Sequence, residues 1–141
     1  AHIMFSLKRI LRNNSFTSLI SQETVVRGAI DFEDGILKIE GSVFANSPKD
    51  SIRGNLNTDT TVHIVKGSQV NVAEISGGSD IIDSANVITD SIRAEKHLHI
   101  GKNAVLKNLS ILCRSIFIEP GATMHGTTIN NLDQSSAGEQ Q

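Results

Sequence analysis

From Ile64 onward, apolar residues recur at every sixth position. Ile64, Val70, Ser76, Ile82, Ile88, Ala94, Ile100, Leu106, Leu112, Ile118, Met124 and Asn130 form one series, and ten of the twelve are apolar. A chain that is 38% apolar would place roughly four or five there by chance. Three steps of six make eighteen, and local context repeats at that spacing. Thr61-Val-His-Ile-Val-Lys-Gly67 matches His97-Leu-His-Ile-Gly-Lys-Asn103 and Ser115-Ile-Phe-Ile-Glu-Pro-Gly121. An amphipathic helix needs apolar spacings of three and four, and a hairpin meander needs tight two-residue turns. The pattern fits neither. It predicts an all-β, single-domain parallel β-helix, with three short strands and three bends to each coil of about eighteen residues.

In such a fold equivalent side chains stack from coil to coil. Ile64, Ile82, Ile100 and Ile118 are expected to form one inward ladder, and Val70, Ile88, Leu106 and Met124 a second. Gly67, Ala85, Asn103 and Gly121 fall at the turn after the first strand of each coil, where small or turn-favouring residues belong. Earlier in the chain, Val25–Phe32 and Gly35–Val43 read as alternating strands with glycine corners. Ile39 and Ile64 are 25 residues apart, one coil plus seven, and the excess is assigned to a polar insertion at Asn46–Ser51. Asp80 takes an inward place held elsewhere by Val62, Leu98 and Ile116. Either the Gly77-Gly78 corner shifts the register there, the preferred reading, or Asp80 is buried and paired. The organisation expected is a cloning remnant at 1–3, an N-terminal tail at 4–19, about six coils over 20–130 and a disordered polar tail at 131–141.

Composition narrows the picture further. With no Trp, no Tyr and five Phe, the core must be aliphatic, which suits strands. A net charge of −2 provides no basic field for nucleic acid. The single cysteine, Cys113, excludes an internal disulfide and reads as an inert core residue in a reducing compartment. No apolar run reaches the ~20 residues of a membrane-spanning helix, and no secretory signal is visible.

A β-helix leaves unpaired backbone and apolar core at both ends unless something covers them. Little in the sequence is suited to that, since 131–141 is polar and 13–22 is short and mixed. Uncapped ends are satisfied by another copy of the chain, and a contact that does not close gives a fibre. The residues expected at such contacts are Val26, Ile30 and Phe32 at one end, with Ile118, Met124 and Ile129 at the other.

Thr24–Val43, with its Leu37-Lys-Ile-Glu-Gly41 stretch, resembles the opening of a bactofilin domain. His99–Val105 and Ile118–Met124 resemble later coils of the same family. The resemblance covers roughly residues 20–130. It implies a right-handed triangular β-helix and non-polar filaments assembled without nucleotide or other cofactor. It further implies a bacterial cytoskeletal role at the cytoplasmic face of the inner membrane, shaping cells or placing client proteins such as cell-wall enzymes. The Asn46–Ser51 insertion, the Ser76–Asp80 stretch and the sparse glycine corners depart from that pattern. Bactofilins also carry short membrane-targeting N-termini. Here Phe5, Leu7, Ile10 and Leu11 lie beside Lys8, Arg9 and Arg12, with no acid before Glu23. Apolar side chains entering the headgroup boundary and cations facing anionic lipid would give weak attachment, multiplied along a filament.

His97 and His99 form a His-x-His pair with His63 two coils away. At ~9.5 Å over two coils, they read as surface histidines, as does His125, and not as metal ligands. The rival fold-mate is a left-handed β-helix acyltransferase of the hexapeptide kind. It is disfavoured because Val65, Asn71, Thr89 and Lys107 stand where a small residue is expected. A carbonic anhydrase on that fold would need three converging histidines. No catalytic residues are assigned and no enzyme activity is expected; Asp31, Glu33 and Asp34 read as a solvated corner.

Overall fold

The computed structural model describes residues 17–133 and the backbone of 2–4. Every element in it is a β-strand, and every strand pairing is parallel. Strand β1 (His2–Met4) precedes six coils. The first coil has sides β2 (Thr17–Ile20), β3 (Val25–Arg27) and β4 (Ile30–Phe32). The second has β5 (Gly35–Ile39), β6 (Ser42–Phe44) and β7 (Ile52–Gly54). The third has β8 (Thr60–Ile64), β9 (Gln69–Asn71) and the start of β10 (Glu74–Ile82). From here one strand turns a corner and serves two coils. β10 opens the fourth coil, which continues through β11 (Asn86–Ile88) into β12 (Ser91–Ile100). β12 opens the fifth, which runs through β13 (Val105–Lys107) into β14 (Ser110–Ile118), and β15 (Thr123–His125) and β16 (Thr128–Asn131) complete the sixth.

Three side-chain columns run the length of this stack. On the first side Ile20, Ile39, Ile64, Ile82, Ile100 and Ile118 lie in register, one per coil. The expected ladder is present and is two residues longer. On the third side Ile30, Ile52, Ile75, Ile92, Ile111 and Ile129 form a second six-isoleucine ladder. The stepping by six misses it, because Ile75 and Ile111 fall one residue before Ser76 and Leu112 of the series and Ile92 two before Ala94. β-branched side chains have few rotamers to lose in a strand and stack well across parallel neighbours.

The second side carries Val26, Val43 and Val70, then Val87, and ends on Leu106 and Met124. Val87 is 7% exposed and Ile88 56%, so the expectation of Ile88 in this ladder is corrected: it faces outward. The cause lies at the preceding corner. Val65–Ser68, Gly101–Ala104 and Glu119–Ala122 are each closed by a carbonyl accepting from the amide three residues on. Their third residues are left-handed, Gly67 (φ 87°), Asn103 (φ 66°) and Gly121 (φ 98°), as a type II turn requires. Ala85 has no positive φ. Its corner spans five residues from Ile82 to Val87 where the others span six, and that slip turns the next side chain over.

The excess length between the second and third coils is shared by two loops, correcting its assignment to Asn46–Ser51 alone. Residues 45–51 join β6 to β7, and residues 55–59 join β7 to β8. The first is closed by Asp50, whose carboxylate accepts from the amides of Asn46 and Ser47 at 2.9 Å each. Those bonds hold its carboxyl below the usual range. Gly41 marks a different constraint. A Cβ there would lie 2.2 Å from the Ser21 carbonyl oxygen and 2.4 Å from that of Thr24, so the second coil passes the first corner at a distance only glycine permits.

The preferred register shift at Asp80 does not occur. Asp80 sits between Val62 and Leu98 in the inward column of the first side. The irregularity at this corner lies in β12, where Glu95 and Lys96 stand against the single residue Gly78 of β10. Asp80 is 0% exposed and neither carboxyl oxygen has a hydrogen-bond partner. Burial, with Glu74 adding to it, pushes its carboxyl well above the usual carboxylate range. An ionised carboxylate without a partner would cost several kcal/mol there. Cys113, by contrast, is core as expected, stacked on Ala94, with its thiol raised by burial.

The inward and outward assignments predict opposite responses to the same truncation. Ile100→Ala should cost about 3 kcal/mol in urea unfolding, and Ile88→Ala about 0.5 kcal/mol or less. The reverse order would contradict the registers.

Candidate functional site

The two ends of the stack are not equivalent. At the last coil each ladder terminates in an uncovered side chain. Ile118 is 39% exposed, Ile129 is 43% exposed and Met124 is partly buried. These are the three residues expected at this end, and each closes a different side of the triangle. Ile116 joins them, partly buried in the column of Val62, Asp80 and Leu98. The backbone is open as well. Among the described residues β15 pairs only with β13, β16 only with β14, and Ser115–Ile118 only with β12. A parallel edge with unused amides and carbonyls beside an apolar mouth favours strand addition by another chain.

Polar contacts hold this edge in shape. Arg114 Nε donates to Asp133 Oδ1 at 3.0 Å, and its Nη1 donates to the Glu95 carbonyl at 3.0 Å. Asn131 Nδ2 donates to the Arg114 carbonyl at 2.8 Å. On the first side His99 Nε2 donates to Glu119 Oε2 at 3.2 Å, and its ring meets Phe117 edge-on with centroids 5.3 Å apart. The His99 bond, then the Lys102 amide, hold the Glu119 carboxyl below its usual range.

At the opposite end Val26, Ile30 and Phe32 are buried, which corrects their placement on an exposed contact surface. β1 lies alongside β3, so Val25–Arg27 is not the edge of its sheet. Phe32 is 2% exposed and its Cζ occupies the room left by Gly54, where a Cβ would come within 2.9 Å of it. The ring is core. Its column continues with small residues, Gly77 and Ala94. The sheet of the first side begins at Thr17, three residues before the expected start of the coils. Phe5, Leu7, Lys8, Arg9, Ile10, Leu11 and Arg12 lie outside the described residues.

The histidines are distributed as a column. His63 and His99 flank Ile81 in register on the outer surface of the first side. His63 Nε2 donates to Asp83 Oδ2 at 2.9 Å, and His97 Nδ1 shares a 2.6 Å hydrogen bond with Ser115 Oγ. Among the described residues no group of three or more His, Cys, Asp or Glu is placed to hold a metal ion. A groove of about 720 Å³ lies over the second side of the fourth and fifth coils. Outward-facing Ile88 and Val105 form part of its floor, Asp90 and Lys107 its charged rim, and it contains neither His nor Cys. Among the described residues no helix is long and apolar enough to cross a membrane.

No protein-family model, curated protein or solved structure matches this chain.

The difference between the ends is testable in single variants. Phe32→Asp should abolish cooperative folding, as expected for a charge in a packed core. Ile129→Asp should leave the melting temperature within a few degrees of wild type by circular dichroism. Equal losses would contradict the asymmetry.

Proposed function

We propose that this chain is a structural protein that assembles end to end into filaments without nucleotide, in the manner of the bactofilins it resembles. The observation that carries the reading is the last coil, where three core ladders end in Ile118, Met124 and Ile129 beside strand edges that have no partner among the described residues. A second copy supplies both what the edge lacks and what the apolar mouth lacks. Burying Ile118 and Ile129 contributes about 25 cal/mol for each Å² removed from water, and the backbone edge fixes the orientation.

The buried state of Val26, Ile30 and Phe32 sharpens the assembly route. The first contact is between last coils, which is two-fold and closes on itself. Growth past that pair uses the strand edges of the first coil, not the side chains buried beneath them. On this reading the filament is non-polar. Phe5–Arg12 attaches it to the inner membrane on the cytoplasmic face, where it serves cell shape or places client proteins.

Negative-stain microscopy of the untagged chain without nucleotide should show filaments, and Ile118→Arg combined with Ile129→Arg should leave short soluble species. A discrete trimer would favour the acyltransferase architecture instead, and unchanged filaments in the double variant would remove the last coil from the contact. Deleting residues 4–12 should abolish co-sedimentation with anionic liposomes while leaving assembly intact; persistent binding would end the membrane reading.

A further inference from the structure

Asp80 is the one buried side chain whose polar atoms have no hydrogen-bond partner among the described residues. It lies near the middle of the rod, at the first side of the fourth coil, with three coils before it and two after. Its direct stacking neighbours are Val62 of β8 and Leu98 of β12. The carboxyl is fitted and not merely tolerated. A Cβ at Gly77 would lie 3.0 Å from its Oδ1, so the missing side chain at Gly77 is the space the carboxyl uses. Gly78 is equally confined, since a Cβ there would meet the Thr60 carbonyl at 2.9 Å, and its amide donates to Thr60 Oγ1 at 2.9 Å.

The charged groups on the surrounding strands are engaged elsewhere or face away. On β8, His63 is held by Asp83. On β12, Arg93 pairs with Glu95, Lys96 with Asp59, His97 with Ser115 and His99 with Glu119. On β7, Arg53 is exposed and stands opposite Ser76. On β10 itself, Glu74 accepts from Ser91 and acts on Asp80 as a like charge. No cation lies close enough to offset ionisation.

We propose that Asp80 makes the centre of the rod a proton-dependent weak point: the stack is continuous while this carboxyl is protonated and opens between β8, β10 and β12 when it ionises. The device is independent of assembly through the ends. It would let a rise in pH split or soften a rod in its middle without touching its terminal contacts. The sign follows from linkage. An acid whose folded pKa is raised holds its proton in the native state after the unfolded chain has lost it. The associated stability is full below the unfolded pKa and declines as pH rises towards the folded value.

The test is a pH series of thermal melts on the full chain at low concentration, comparing wild type with Asp80→Asn and Asp80→Val. Below about pH 3 wild type and Asp80→Asn should differ by a constant offset. As pH rises, wild type should lose about 4 °C per unit relative to either variant until the folded carboxyl ionises. Asp80→Val matches the stacked Val62 and carries the comparison if the asparagine variant does not fold. Hydrogen-exchange protection should fall first at Asp80–Ile82 and their partners Val62–Ile64 and Leu98–Ile100. Parallel profiles for wild type and both variants, or protection lost first at the ends of the rod, would overturn the proposal.

Discussion

The structure depends on parallel register between successive coils. Each coil takes its backbone hydrogen bonds from the coil before it, so a side chain is stacked on its equivalent whether or not the two suit each other. That requirement selects β-branched aliphatics at inward positions. It accounts for two ladders of six isoleucines in a chain with no Trp or Tyr. It also explains why the corners tolerate variation. Loops 45–51 and 55–59 leave the stack at bends and return to the same register, with Ile39 opposite Ile64 and Ile52 opposite Ile75.

The same constraint governs what was readable in the residues. The ladder through Ile64, Ile82, Ile100 and Ile118 was legible because its coils are eighteen residues long on that side and its turns use Gly67, Asn103 and Gly121. The spacing points Ile88 inward although one corner is a residue shorter, a slip that spacing alone cannot distinguish from a continued repeat. At Asp80 the cost of a lone buried carboxylate argues for a place outside the core. Here the register prevailed over that preference and the cost falls on protonation. The third-side ladder is not legible from the six-step, because its inward residues fall one or two positions before the series.

The candidate site divides in the same way. Ile118 and Met124 are legible as the last members of two six-step columns, whereas Ile129 closes the third-side column, which the six-step does not reach. Val26, Ile30 and Phe32 were identifiable as the first inward residues, but a repeat says nothing about what lies beyond its first member. Phe32 also answers a distant partner, the space at Gly54, which no local motif announces. The two ends therefore differ in their side chains, with Ile118 and Ile129 exposed at the last coil and Val26, Ile30 and Phe32 buried at the first. The proposed assembly rests on the exposed Ile118 and Ile129 of the last coil, independently of the resemblance to bactofilins.

Sedimentation velocity of the full chain in nucleotide-free buffer, over a range of protein concentrations, tests the central claim most directly. The account predicts mass that grows with concentration through a dimer and beyond any small closed number. A single monomeric boundary at all concentrations would contradict it, showing that the exposed ladder ends of the last coil are not a contact between copies.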